Sequence, residues 1–380
     1  MHHQNSVFKA VLKHLPWGEF ERLVEEHGAD ERQRGFSTKT QLVALIYGQL
    51  SGSLSLREIE AGLSSHAAHR YHLGIGEVRR SSLADANRYR PSAVFSDVLE
   101  LMMKRAHRGL RRKLAGVTYL IDSTGLSLSG LSARWARFSA EVCGAKVHIV
   151  YDPAADLPVY SAVSTANLND ITAAKAMPIE PGATYVFDLG YYDYGWWAEL
   201  DAKGCRIVTR LKRNTPFTVC QTRPMPQAGN ILSDRIGYLP ARQAMNRKNP
   251  LNKRVREIQV KIDTGKVLRI FTNDLDASAE EIADLYKLRW AIELFFRWIK
   301  QTLKITRFLG TSENAIRIQV AVALITFLLL RLAQATQKVV TSPLAFARLI
   351  RANLMHRRDV TALLGPPPAI SISLNQLALL

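Results

Sequence analysis

The chain has 380 residues, 47 % of them hydrophobic, which leaves room for two or three domains with sizeable cores. Lys and Arg number 51 against 33 Asp and Glu, a formal charge of +18 that favours a polyanionic partner, either nucleic acid or an anionic membrane surface. The longest apolar run, 320–330, lies between Arg317 and Arg331 and is too short to span a bilayer, so it reads as a buried helix and no membrane partner is expected. No basic segment followed by an apolar one opens the chain, and Cys143, Cys205 and Cys220 form no CxxC pair, so neither a secretory signal nor a zinc or disulfide framework is visible.

Residues 1–112 read as helical. Phe8, Val11, Leu12 and Leu15 recur with a helical period before Pro16. Thr38 and Gln41 open an apolar-periodic stretch that runs to Leu50. Ser55 and Glu58 have capping-box spacing, as do Ser82 and Asp85. Gly52-Ser53 makes a turn loosely like a helix-turn-helix, but Glu58 and Glu60 on the next helix argue against DNA recognition there. Arg79, Arg80, Arg88 and Arg90 are the better DNA-facing set, with a solvated basic face as the bland alternative. Lys104, Arg105, Arg108, Arg111, Arg112 and Lys113 lead into the next domain, either as phosphate contacts or as the charged exterior of a linker helix. Gly74-Ile75-Gly76 lacks a third glycine and a preceding strand, so it is no nucleotide loop.

The pattern changes near Gly116. Residues 117–122 form a short β-prone run ending in Asp122, and 145–152 and 157–163 follow as strands around an Asp152-Pro153 turn. Residues 170–177 read as helix, 184–188 as a strand ending in Asp188, 192–202 as helix and 205–211 as a fifth strand. This alternation predicts a mixed sheet flanked by helices. His148 reads as a strand residue without catalytic duty, and Asp193 as a helix cap. Residues 213–266 break the rhythm with several prolines and the cations Arg242, Arg247, Lys248, Lys253, Arg254 and Arg256, and read as a partly β insertion. Residues 267–272 return as a strand. Residues 279–304 and 316–335 are expected as helices, followed by a short helical tail and Gly365-Pro-Pro-Pro.

The helix expected over 279–304 carries Tyr286, Arg289, Glu293 and Lys300. Separations of three, four and seven return to one helix face. That face sets a carboxylate among a phenol and two cations, a surface suited to holding a metal ion against a phosphate. Arg289 and Glu293 also have the spacing of an ordinary ion pair. Leu288, Ile292, Leu294, Phe295 and Ile299 are apolar and expected to anchor the helix. Trp290 and Trp298 are expected to pack in the core, with base stacking as the sharper alternative.

With Asp122 and Asp188 each ending a strand, two aspartates and a glutamate can bind two Mg²⁺ ions through oxygen ligands and leave room for water and phosphate. Asp122-Ser-Thr, Asp188-Leu-Gly-Tyr and the Tyr286/Arg289/Glu293/Lys300 spacing together resemble the DDE transposases of bacterial insertion sequences. They match the insertion-sequence-four subgroup with its Y-x2-R-x3-E-x6-K signature. The resemblance spans roughly residues 117–335, and all the matched positions are intact.

The resemblance implies an α/β fold: a ribonuclease-H-like catalytic core with a β-rich insertion, preceded by an all-helical N-terminal domain. The expected division is 1–112 helical with DNA end binding, 113–212 and 267–340 the two parts of the core, 213–266 the insertion and 341–380 a tail. It implies Asp122, Asp188 and Glu293 as catalytic residues and ligands of two Mg²⁺ ions, with Mn²⁺ able to substitute. Tyr286, Arg289 and Lys300 would contact DNA phosphates, with Arg210 and Lys212 either adding backbone contacts or being simple surface charge. Expected partners are double-stranded DNA, both the terminal inverted repeats of its own element and target DNA, and a second copy in a homodimeric synaptic complex. The implied reaction is cut-and-paste strand transfer through a hairpin, in the bacterial cytoplasm and at the nucleoid when DNA-bound. A structure-specific nuclease on the same fold and a silent, transposase-derived DNA-binding protein are the alternatives. The latter predicts a damaged carboxylate, and none is seen. Gly125 to Gly130 is no nucleophile elbow, which disfavours a serine hydrolase.

Overall fold

A computed structural model describes residues 5–31, 33, 35–110, 116–139, 141–224, 229–245, 247–303, 305, 307–358 and 363. Seven helices come first among them: α1 (Val7–Leu12), α2 (Trp17–Glu26), α3 (Thr38–Ser51), α4 (Leu56–Ser65), α5 (Ala67–Leu73), α6 (Arg80–Tyr89) and α7 (Ser92–Leu110). Their starts follow local chemistry. Ser37 caps α3 by accepting from the Thr40 N–H, and Gly52 ends that helix in the left-handed conformation that glycine tolerates. The Ser55/Glu58 pair does cap α4: Ser55 Oγ accepts the Glu58 N–H, and Glu58 Oε2 accepts the Leu54 N–H at 2.8 Å. The Ser82/Asp85 pair does not cap; α6 already begins at Arg80, so Ser82 lies inside the helix.

The sheet elements follow: β1 (Thr118–Leu128), α8 (Ala133–Ala136), β2 (Cys143–Asp152), β3 (Leu157–Thr165), α9 (Asp170–Lys175), β4 (Thr184–Phe187), α10 (Tyr194–Ala202) and β5 (Arg206–Arg210). Then come β6 (Thr218–Thr222), β7 (Ile231–Tyr238), the β8 (Arg242–Ala244) and β9 (Arg247–Lys248) hairpin, β10 (Val255–Lys261) and β11 (Val267–Thr272). Four helices complete the described fold: α11 (Ala279–Leu288), α12 (Trp290–Thr302), α13 (Glu313–Ala335) and α14 (Pro343–Ala352). Nine strands form one sheet in the order β3-β2-β1-β4-β5-β11-β10-β7-β6. β1, β4 and β5 run parallel, while β2 and β3 are antiparallel additions at one edge. This mixed arrangement is the ribonuclease-H-like core that the sequence led us to expect. The strands between residues 213 and 266 do not stand apart: β11 pairs with β5, and β10, β7 and β6 extend the same sheet.

Alternation along the strands sorts side chains onto two faces. Leu120, Val186, Val208 and Ile270 point into one apolar cluster; Tyr119, Ile121, Tyr185, Phe187, Ile207 and Phe271 point into the other. The second cluster is aromatic, with Trp196 and Trp197 of α10 packed on Phe187 and Phe271. The first cluster continues without a break through α12 and α13 into α1, α3 and α7. Helix α13 is long and apolar enough to cross a membrane by length and composition, yet 83 % of its most apolar window is buried in this protein. The helix is therefore longer than the 320–330 run suggests, and it serves as the central pillar of the core.

Several sequence expectations change with packing. Arg90 is buried: its guanidinium donates to the carbonyls of Ala29 and Phe36 and to Gln41 Oε1, and lies 3.2 Å from Asp30. It holds the helices together and is not presented to DNA. Arg256 is also buried, in a bidentate pair with Asp234 at 2.6 and 2.7 Å. Leu288 and Leu294 are exposed, whereas Ile292, Phe295, Phe296 and Ile299 anchor α12. Arg111, Arg112, Lys113, Lys304 and Gly365-Pro-Pro-Pro lie outside the described residues.

Candidate active site

Asp122 does not end its strand; β1 continues to Leu128 along β2. What ends is the pairing with β4, whose last partners are Ile121 and Phe187. Asp122 and Asp188 directly follow that last pair, Asp122 within β1 and Asp188 just past the end of β4, on backbones spaced about 5 Å apart as paired strands are. Asp122 follows the alternation of Leu120 and so belongs to the face covered by α12. Ser123 N–H donates to Asp122 Oδ1 at 2.8 Å, and Gly190 N–H donates to Asp188 Oδ1 at 2.8 Å. Backbone donors thus hold one oxygen of each carboxylate.

The helix expected over 279–304 is two helices that meet at Arg289. The Arg289 N–H turns back to the Tyr286 carbonyl, a tight three-residue closure, and α12 begins at Trp290. Tyr286 and Arg289 remain neighbours, with the guanidinium carbon 5.9 Å from the ring centroid. Arg289 Nη1 lies 2.5 Å from Glu293 Oε1 and 3.9 Å from Asp122 Oδ2. One guanidinium therefore links the α12 carboxylate to the β1 carboxylate. The Arg210 guanidinium carbon is also 5.9 Å from the Tyr286 ring centroid. Arg210 Nε and Arg289 Nε are both buried with no acceptor among the described residues. Buried guanidinium donors normally find partners, so these two stand out beside the carboxylates.

The remaining positions differ. Lys300 is half-buried on α12, and burial lowers its pKa. Lys212 is exposed, with its ammonium 4.6 Å from the Tyr192 ring. Trp298 packs edge-on to Phe327, while Trp290 is 51 % exposed beneath the Arg297 guanidinium. Asp193 caps α10 through the Trp196 N–H and pairs with Lys175 and Arg247 at 3.3 and 3.1 Å.

Burial drives the Asp122 pKa up to about 6, and the charges of Asp188 and Glu293 add to it against Ser123 N–H and Arg289. The Tyr191 hydroxyl behind them is pushed well above an ordinary phenol, by burial first and then by Asp122, Asp170 and Asp188. Among the described residues no group of three or more His, Cys, Asp or Glu is drawn close enough to hold an ion, and Glu293 is paired with Arg289. The donors nevertheless fit one: they are hard carboxylate oxygens, suited to Mg²⁺ or Mn²⁺, in surroundings that already disfavour the Asp122 charge.

Residues 114–329 match the family described as "Transposase DDE domain". The chain belongs to the DDE transposases of bacterial insertion sequences. Its relatives agree. It is 40 % identical over 286 residues to the protein y4zB of Sinorhizobium fredii, named a transposase, covering 75 % of this chain and 80 % of that one. It is 28 % identical over 283 residues to a Geobacillus stearothermophilus protein named as transposase of the insertion sequence element IS5377, covering 73 % and 74 %. Residues 3–76 match a family described as "Domain of unknown function (DUF4372)". A piggyBac transposase in a synaptic complex with hairpin DNA matches over 92 % of this chain and 78 % of that chain. At 10 % identity and a TM-score of 0.45, that likeness is too distant to carry an argument. The protein is thus a DNA transposase, an enzyme that cleaves and transfers DNA strands, and DNA is its partner. Membership of this family implies dependence on a divalent metal.

The sequence singled out Asp122, Asp188 and Glu293, and the fold brings them to one face. Ser123 and Tyr191 stood there only as parts of the motif strings, without a role, and Asp170 was not singled out; all three crowd behind the aspartates. Asp170 follows Asn169 at a helix start, where an acidic residue is unremarkable. Only tertiary approach reveals its neighbours.

Proposed function

We propose that the transposase of the insertion-sequence-four type cuts DNA at the ends of its own element with Asp122, Asp188 and Glu293 as ligands of two Mg²⁺ ions, Mn²⁺ substituting. The observation that carries this reading is the register of β1 on β4, which sets Asp122 beside Asp188 under the Arg289–Glu293 pair. When bound, the ions supply the Lewis acidity that activates an attacking oxygen and stabilises the leaving one.

The protein's own residues do the positioning. Arg289 and Arg210, each with a buried unpaired Nε–H, receive the phosphates of the element end, together with Tyr286, Lys300 and Lys212. A phosphate that competes for the Arg289 guanidinium releases Glu293 from its 2.5 Å ion pair towards the aspartates. In the first step water attacks phosphorus and the bond to the 3′ oxygen breaks, leaving a 3′-hydroxyl. That hydroxyl then attacks the opposite strand and closes a hairpin at the element end, a second water reopens it to a 3′-hydroxyl, and this hydroxyl attacks a phosphate of target DNA and displaces a target 3′ oxygen; each step forms one P–O bond and breaks one, so no outside energy is needed. Residues 1–112 take part in end binding, a homodimer holds two terminal inverted repeats, and the second strand is cut through a hairpin. The reaction takes place in the cytoplasm, at the nucleoid.

The test is a cleavage and joining assay on duplexes that carry the sequences flanking the reading frame, with Mg²⁺ or EDTA. Metal-dependent cuts at the ends followed by joined products support the proposal. Cutting without joining identifies a nuclease, and binding without cutting in any metal identifies a silent DNA-binding protein.

A further inference from the structure

A second carboxylate centre lies on the opposite face of β1 from Asp122. The register sets Ser123 across from His148 and Gly125 across from Lys146. Asp170, the first residue of α9, reaches over this face. Its Oδ1 accepts the Ser123 hydroxyl at 2.8 Å and the Lys146 ammonium at 3.1 Å. His148, fully buried, has Nδ1 3.8 Å from the same oxygen and Nε2 2.8 Å from Ser164 Oγ. Lys146 also donates to the Leu168 carbonyl at 3.0 Å, so the α9 end of the loop is fixed to β2. The Asp170 carboxylate further touches the Asp188 turn. A methyl group built on Gly190 would stand 3.4 Å from Asp170 Oδ2 and 3.0 Å from Asp188 Oδ1.

Ser123 is the hinge of this arrangement. Its hydroxyl is held by Asp170, and its backbone N–H holds Asp122 Oδ1 at 2.8 Å. Any rotation of the 122–123 peptide moves both bonds. We propose that Asp170 is a positioning residue for the metal site: through Ser123 it fixes the direction of the Asp122 carboxylate, and from the α9 side it borders the Asp188 turn. Lys146 balances the Asp170 charge, so the sheet interior carries the support at no net charge. Carboxylates that hold ligands are themselves held by hydrogen bonds, and losing such support costs about 10–100-fold in metal affinity or activity. The proposal rests on the reading of Asp122 as a metal ligand.

The experiment uses the full-length protein bound to a duplex of its own element end, with Mn²⁺ binding followed by electron paramagnetic resonance and cleavage measured on the same samples. Asp170→Ala and Ser123→Ala are each expected to weaken Mn²⁺ binding by about 10-fold or more. DNA affinity stays as in the parent, and both variants stay folded at the assay temperature by circular dichroism. The double variant is expected to be no worse than either single one, because both break the same link. Asp170→Asn, which still accepts from Ser123, is expected to recover most of the Mn²⁺ affinity. Unchanged Mn²⁺ affinity in Asp170→Ala, or losses that multiply in the double variant, overturns the proposal. Asp122→Asn separates the two readings. If it leaves Mn²⁺ binding intact, Asp122 is no ligand and both fall; if it abolishes binding while Asp170→Ala does not, only the role of Asp170 falls.

Discussion

Burying Asp122 carries a cost in stability. Its pKa rises from 3.8 to about 6 because burial disfavours the charged form, with Asp188 and Glu293 adding repulsion. The folded state therefore holds this proton more tightly than the unfolded chain does. Stability falls as pH rises from about 4 towards 6, and the penalty is fully present above pH 6. In EDTA at pH 7, Asp122→Asn should stabilise the fold by on the order of 2–3 kcal/mol while abolishing cleavage. The gap should close as the pH approaches 4. Thermal denaturation across that range reads it directly, and equal melting temperatures at pH 7 would count against a strained carboxylate. Asp122, Asp188 and Glu293 stood out in the sequence as carboxylates in a spaced pattern, although Asp122 lies within β1 and not at its end. The hydroxyl and carboxylate behind them did not, because Ser123 and Asp170 meet only through the β1–β2 register and the turn into α9.

At the level of elements, periodicity foretold most of the helices and strands but not how they join. The break at Arg289 has no proline or glycine to mark it; the Tyr286 carbonyl accepts the Arg289 N–H, and helical dihedrals persist across the junction. The residues between 213 and 266 carried turn signals and read as a partly β insertion. Its strands join the main sheet, because β11 finds its partner in β5. The β8–β9 hairpin reaches back to the site: Gln243 accepts the Tyr194 N–H at 2.8 Å and donates to the Tyr192 carbonyl at 2.9 Å. It braces the segment that follows Asp188. Gln243→Ala should lower the cleavage rate by about 10-fold, since small misplacements of catalytic groups are costly. DNA affinity should stay nearly unchanged in a gel-shift titration, and a parallel loss of binding would instead make Gln243 a DNA contact.

Across the whole molecule, α13 joins what the sequence divided. Its faces pack on α3 and α7 as well as on α12, and Asn314 at its start donates to the carbonyls of Asn87 and Arg90 while accepting the Ser92 N–H. The C-terminal segment is tied in too: the N–H groups of Val7 and Phe8 donate to the carbonyls of His356 and Leu354. A chain lacking residues 1–112 should therefore expose the apolar flank of α13 and aggregate. A soluble, cooperatively melting fragment would show that the catalytic part folds alone. The charge of +18 belongs to this scale as well. DNA affinity should fall with salt by about 0.9 log units per log unit of salt for each phosphate neutralised, and a flat response would contradict an electrostatic grip.

Three carboxylates, and no others, are proposed to carry the strand chemistry. Asp122→Asn, Asp188→Asn and Glu293→Gln are set beside the parent protein, with binding and Mg²⁺-dependent cleavage followed on one element-end duplex. All three should bind the duplex within a few-fold of the parent, and none should cut it. A variant that binds and still cuts at the parent rate would remove its carboxylate from the site.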